Sequence, residues 1–207
     1  MKKLFGLLAV LCAASCIFGC ASQSDPTAET DPTTGSAGTE ATVAFPSKNN
    51  EAGYLASLEE GVLSASVKEM TEKAQDVVIA NVVDERQWVS EPSGLENAES
   101  DIVIEQVLKG NLSAGDRLTI HETGWRDEDH DTSIGGEPLL GNGMRAVLFL
   151  SDEGAIMACY QGKIFIDNDG TAYPYTYFTG ESGEFIPFTD MQSPMPLDDV
   201  IGIVTES

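Results

Sequence analysis

Hydrophobic positions along this chain fall into three regimes. They run almost unbroken from Leu4 to Phe18, nearly vanish from Ala21 to about Asn50, and from there recur first with helical and then with strand period. Leu55, Leu58, Val62, Leu63, Val67, Met70 and Ala74 make a helical stripe that breaks near Gly61 to Ser64. Ser57-Leu58-Glu59-Glu60 and Ser66-Val67-Lys68-Glu69 both fit the pattern in which a serine caps the third backbone N–H and a glutamate reaches back. One or two short helices are therefore expected before the first strand.

After Gln75 the period shifts. Asp76 to Asp84 is a β-branched run, as suits a strand covered on both faces. Glu91 to Glu99 reads as a polar loop. Strands are expected at Ile102–Leu108, Arg117–Glu122, Met144–Leu150, Ala155–Tyr160, Lys163–Ile166 and Thr171–Tyr175, with turns at Lys109-Gly110-Asn111, Ser151 to Gly154 and Asp167 to Gly170. A short helix should start near Leu197, with Asp198 and Asp199 favourable in its first turn. Five to seven strands joined mostly by short turns, without alternating helices, predict a mostly β domain, a small closed or half-open antiparallel barrel. A β-sandwich is the second architecture compatible with the pattern.

Lys2 and Lys3 followed by an apolar run too short to span a bilayer fit a secretory leader. The run ends in Ile17-Phe18-Gly19-Cys20, which resembles the lipobox of bacterial lipoproteins. The resemblance implies that Cys20 becomes the first mature residue and carries a lipid, which would tether the protein to the membrane on its extracytoplasmic side. Ala13-Ala14-Ser15-Cys16 is a competing frame with a poorer residue at −3. Residues 1–19 are thus expected to be the leader, 20–50 a disordered Ser/Thr/Asp-rich linker, and 51–207 the barrel domain. Lipidation would leave Cys159 as the only other cysteine in the mature chain, so no intramolecular disulfide is expected. In its apolar surroundings Cys159 reads as an inert small hydrophobe.

Charge narrows the choice of partners. With 34 acidic against 11 basic residues the chain carries −23. Loss of Lys2 and Lys3 with the leader makes it more negative still. Nucleic acid, which is bound by neutralising phosphates, is excluded as a partner.

Ala74 to Val83, Ile104-Glu105-Gln106-Val107-Leu108-Lys109-Gly110-Asn111, Gly115-Asp116-Arg117-Leu118-Thr119-Ile120 and Pro138 to Leu150 together resemble a group of secreted bacterial proteins with a netrin/TIMP-like OB barrel. Those proteins carry an A-D-x-V-V-x-G-x-V strand, a V-L-K-G turn, a G-D-x-I-x-V strand and a G-E-x-Y-L-L-F-L strand. Asn81 replaces the usual Gly and Met144 the common Glu. The resemblance covers about 75 residues and implies an OB-like architecture. A lipidated Cys20 could not chelate a protease zinc as the free N-terminal cysteine of the animal inhibitors does.

Candidate chemistry is densest from Glu122 to Asp131. Glu122, Asp127, Asp129, His130 and Asp131 offer oxygen ligands for Ca²⁺, and His121 and His130 with Glu122 offer a transition-metal set. A solvated acidic loop accounts for the same letters. Asp167-Asn168-Asp169-Gly170 resembles part of a calcium loop but lacks its later glutamate, and it reads as a hairpin turn with Asn168 or Gly170 at positive φ. Trp88 and Trp125, with Tyr160, Tyr173, Tyr175, Tyr177 and Phe178, would either stack on a glycan or peptide or cover the barrel ends. Trp125, in the polar loop, is expected to be the more exposed tryptophan. Neither histidine lies near a nucleophile elbow, so no enzyme and no cofactor are expected. The expectation is a membrane-tethered, non-enzymatic binding or interaction module for an extracellular protein, peptide or glycan. The alternative is a metal-binding envelope protein or metal-dependent hydrolase built on residues 122–131.

Overall fold

A short helix leads into the sheet and is held at both ends. The structure, a computed structural model, describes Ala44 and residues 63–90, 94–126, 131–133, 138–158, 161–178 and 187–207. The leader, Cys20, the Ser57–Glu60 capping pattern, Cys159 and Tyr160 lie outside them. Helix α1 (Val67–Lys73) starts at Ser66, whose Oγ accepts from the Glu69 amide at 3.0 Å. Glu69 reaches back one residue further than a capping box requires, to the Ala65 amide at 2.7 Å. Asp190 takes the Val67 and Lys68 amides, so three of the helix's first free donors have partners. At the other end Lys109 Nζ donates to the carbonyls of Thr71 and Ala74 at 2.6 and 2.7 Å, neutralising the negative pole of the helix.

The strands are β1 (Asp76–Ser90), β2 (Leu95–Lys109), β3 (Arg117–Arg126), β4 (Asp131–Ser133), β5 (Arg145–Leu150), β6 (Lys163–Ile166), β7 (Thr171–Pro174) and β8 (Met195–Pro196). They form one sheet in the order β4-β3-β2-β1-β5-β6-β7-β8, with every strand pair antiparallel. Helix α2 (Leu197–Thr205) closes the chain with Asp198 and Asp199 in its first turn, as expected. The protein is thus mostly β, with few helices. Among the described strands no pairing joins β4 to β8, so the sheet is open.

Alternation along β1 and β5 divides the core in two. Val77, Ile79, Val147 and Phe149 face Val67 and Met70 of α1 and Val200 and Val204 of α2. Val78, Ala80, Val82, Ala146 and Leu148 face the other way and pack with Ile102 and Ile104 of β2, Ile120 of β3 and Phe165 of β6. This second core exists because the sheet curls. Four strand spacings separate β3 from β6, about 19 Å on a flat sheet, yet Glu122 of β3 and Lys163 of β6 form a direct ion pair. Register shifts in β1 at Val77/Val78, Ile79/Ala80 and Val82/Asp84 supply the bend.

Two expected boundaries change. Residues 95–99, read as loop, are strand, and β1 runs on to Ser90. The pairing there rests on charged cross-strand partners that a hydrophobic period does not register. Ala155 to Ala158, read as the start of a strand, is a tight reversal. Met157 N–H bonds back to Phe149 and Gln161 N–H to Ala158, with Ala158 at φ 49°. Leu150 and Ile156 make only an isolated bridge.

Candidate functional site

Beyond Asn81, β1 leaves β5, and after a last link between Val82 and Gly143–Met144 its described strand partner is β2 alone. Val83–Ser90 and Leu95–Asp101 therefore form an arm that is three-stranded with β3 as far as the Asn97–Thr123 pair and two-stranded beyond it. The arm has two faces with different chemistry.

The outer face is charged and then apolar. Arg86 forks between Asp101 (Nη1 to Oδ2, 2.9 Å) and Glu99 (Nη2 to Oε2, 3.1 Å). Thr119 donates to Asp101 at 2.7 Å, and His121 lies 3.1 Å from Glu99. The Asp101 and Glu99 carboxylates hold the Arg86 guanidinium above its ordinary pKa, and Arg86 with Thr119 holds Asp101 below the usual carboxylate value. Toward the tip the polarity reverses. The large hydrophobic side chains exposed among the described residues are Val83, Trp88, Val89 and Leu95, at 41, 39, 50 and 52%. All four belong to this arm; Trp88 and Leu95 lie on its outer face, whereas Val89, next to Trp88 in the strand, points to the inner one. Trp88 lies opposite Asn97, Val89 opposite Glu96 and Leu95 opposite Ser90.

The inner face carries a buried ion network. Lys163, fully buried, pairs with Glu122 and donates to the Pro138 carbonyl at 2.8 Å. Glu122 also accepts the Leu140 amide at 2.8 Å, and Ser100 donates to the Leu140 carbonyl at 2.7 Å. Arg126 pairs with Glu85 at 2.8 Å and donates to the Leu139 carbonyl, while Gln87 bridges Glu85 to the Arg126 amide. Three strands, β2, β3 and β6, thus hold one segment, Pro138 to Leu140, with Leu139 and Leu140 fully buried. The network satisfies groups that burial would otherwise leave unpaired. A methyl group on Gly141 would sit 1.9 Å from Arg126 Nη1, so a larger residue there would displace the guanidinium.

The anticipated site residues are therefore distributed. Glu122 faces inward and is engaged by Lys163 and Leu140 rather than offered to a loop. Asp127, Asp129 and His130 lie outside the described residues, and Asp131 opens β4 opposite Arg126. Among the described residues no group of three or more His, Cys, Asp or Glu side chains is arranged to hold a metal ion. Trp88, not Trp125, is the exposed tryptophan, contrary to expectation. The extension of β1 carries Trp88 out onto the arm, whereas Trp125 is half-buried just past Gly124, a residue at φ 153° beyond the end of the pairing with β2 at Thr123.

Asp167 to Gly170 is a hairpin turn. Gly170 takes the positive φ of 77°, and the Asp167 carboxylate accepts the Asp169 and Thr171 amides and the Tyr173 hydroxyl. That carboxylate raises the Tyr173 pKa above the ordinary phenol value. Tyr175 and Phe178 are buried, and Phe178 packs edge-on against Phe165 at 5.2 Å, so these aromatics belong to the core.

Sequence reading missed Val89 and Leu95 because Leu95 falls within the stretch taken as loop and Val89 just before it. The signal available was the alternation of Arg86 and Trp88 with residues of the other face, repeated in Leu95, Asn97 and Glu99 across the turn. Among the described residues no helix is long and apolar enough to cross a membrane. No protein-family model matches the chain, and no curated protein matches it.

Proposed function

We propose that this chain is an extracytoplasmic bacterial lipoprotein, lipidated at Cys20, that serves as a non-enzymatic binding module and presents its arm to a partner. The netrin/TIMP-like resemblance belongs to the same proposal, as an account of architecture. The observation that carries the binding role is the exposure of Trp88 and Leu95 as diagonal neighbours on the outer face of the β1–β2 hairpin, with Val89 exposed on the other face. Scattered exposed hydrophobics need no explanation, but a contiguous set rimmed by polar residues marks interaction surfaces. The ionisable groups of the inner face support the same reading, since they are spent on one another and on the 138–140 segment.

Two measurements test the proposal. Labelled palmitate should attach to the wild-type chain in cells and not to Cys20→Ala. Arrays of glycans and peptides probed with the full chain should give ligands whose binding is lost on Trp88→Ala. Labelling that survives Cys20→Ala overturns the anchor, and ligands indifferent to Trp88 overturn the arm.

A further inference from the structure

The chemistry of the arm tip also restricts its partner. We propose that the tip docks a basic polypeptide segment bearing apolar anchor side chains; this rests on the reading of the chain as a binding module. Trp88 alone would suit a sugar ring, since a flat indole stacks on one. Leu95, the diagonal neighbour of Trp88 on the same face, is half exposed, at 52%, and a branched aliphatic group gains from contact with other apolar side chains rather than with hydroxyl-rich surfaces. The anchors of the partner are therefore apolar residues.

Charge selects the rest of the partner. Arg86 is the only cation among the described residues of the arm, and it is already shared between Asp101 and Glu99. On the face of Trp88 and Leu95 the same guanidinium also meets Asp84 at 3.5 Å, so three carboxylates share a single cation and leave that face acidic. Behind the arm is a chain of −23. A second copy of this protein would bring the same charge to the contact, and an anionic lipid surface would be repelled likewise. A basic segment gains from the acidic rim and is steered toward it, with an attraction that salt weakens.

The test uses the tip as its own reporter. Trp125→Phe leaves Trp88 as the only indole, so its emission reads burial at the tip. The probe is a synthetic peptide of lysines and arginines interspersed with leucine and phenylalanine, compared with a counterpart carrying glutamates for the basic residues. A saturable blue shift with the basic peptide, weakening as salt rises, is expected. Leu95→Ser should weaken binding about tenfold while Val89→Ser, on the other face, should not, and circular dichroism should show these exposed changes leave the fold intact. Calorimetry on the unsubstituted chain repeats the measurement without the Trp125 change.

Equal binding of the acidic peptide, no binding of the basic one, or indifference to Leu95→Ser overturns the proposal. A blue shift that grows with protein concentration alone overturns it in favour of self-association, and binding to anionic vesicles does so in favour of lipid. A glycan that binds through Trp88 while the basic peptide does not would sink the basic partner and leave the binding-module reading standing. Loss of every ligand on the arrays would sink both.

Discussion

Lys163 shows how one side chain can hold a strand arrangement that no local pattern specifies. It is fully buried, and its ammonium group is matched by the Glu122 carboxylate and the Pro138 carbonyl. A buried pair of this kind adds little net stability over an apolar pair, but removal of one member strands the other charge. Lys163→Met should therefore cost about 3–5 kcal/mol in urea unfolding, and Lys163→Met with Glu122→Leu should recover part of that loss. Additive losses in the double variant would show that the two groups are not coupled. Glycines act at the same scale. A methyl group on Gly110 would meet Asp76 Oδ1 at 2.0 Å and the Gln75 carbonyl at 2.8 Å, and the residue sits at φ 103°. Asp76 in turn accepts the Asn111 amide at 2.7 Å. The Lys109-Gly110-Asn111 sequence is thus a turn tied to the start of β1 and, through Lys109, to the end of α1. Lys109→Met should lower the melting temperature more than a surface lysine change elsewhere, such as Lys68→Met, because it uncaps carbonyls at the helix end.

The elements differ in what makes them stable, and this decides which of them the sequence revealed. Strands β1 to Val83, β2 from Ile102 and β5 are built on buried aliphatic residues, and their periods were plain. So was the C-terminal helix. The arm is different, because its strands are joined across the pair by Arg86, Glu99 and Asp101. Charged cross-strand partners look like loop in a hydrophobic profile. The inner network was equally hidden, since Glu122 and Lys163 stand 41 positions apart and only curling of the sheet brings them together. The reversal at Ala155–Ala158 was missed for the opposite reason: its apolar letters are packed into a turn.

These pairs also make the elements sensitive to acid. Arg145 donates to both oxygens of Glu105, at 2.7 and 2.6 Å, and lowers the Glu105 pKa from its ordinary 4.5. Asp101 is lowered by Arg86. A carboxylate with a depressed folded-state pKa contributes its full stability above the ordinary value and loses it as pH falls through the depressed one. Melting temperature should hold steady from neutral pH down to about 4.5 as far as Glu105 is concerned and fall below that. Glu105→Gln should be less stable at neutral pH and show a shallower fall. If the two profiles are parallel through the acid range, the Arg145 link contributes nothing.

At the scale of the whole molecule the dominant quantity is charge. The chain carries 34 acidic residues against 11 basic ones, and among the described residues too the acids outnumber the bases. The basic residues in the described structure are heavily committed: Lys73 to Glu69, Arg86 to Asp101 and Glu99, Arg126 to Glu85, Arg145 to Glu105 and Lys163 to Glu122. What remains is a surplus of carboxylates with like-charged neighbours. Their repulsion opposes the compact state, and it is long-ranged compared with the contacts of the ion pairs. Added salt acts on the two unequally. At about 0.15 M the screening length is roughly 8 Å, enough to mute repulsion between separated surface acids but not to dissolve pairs that are buried or in direct contact. Salt should therefore stabilise this protein: the urea midpoint at neutral pH should rise from low ionic strength to about 0.15 M while the slope of the transition stays constant. Sodium chloride and potassium chloride should act alike if screening is the cause. Calcium chloride at matched ionic strength provides the discriminating arm. A rise beyond that of the monovalent salts, abolished by changing Asp127 and Asp129 to Asn, would indicate a specific cation site in the acidic segment. Coincidence of all three curves would leave general screening as the whole effect.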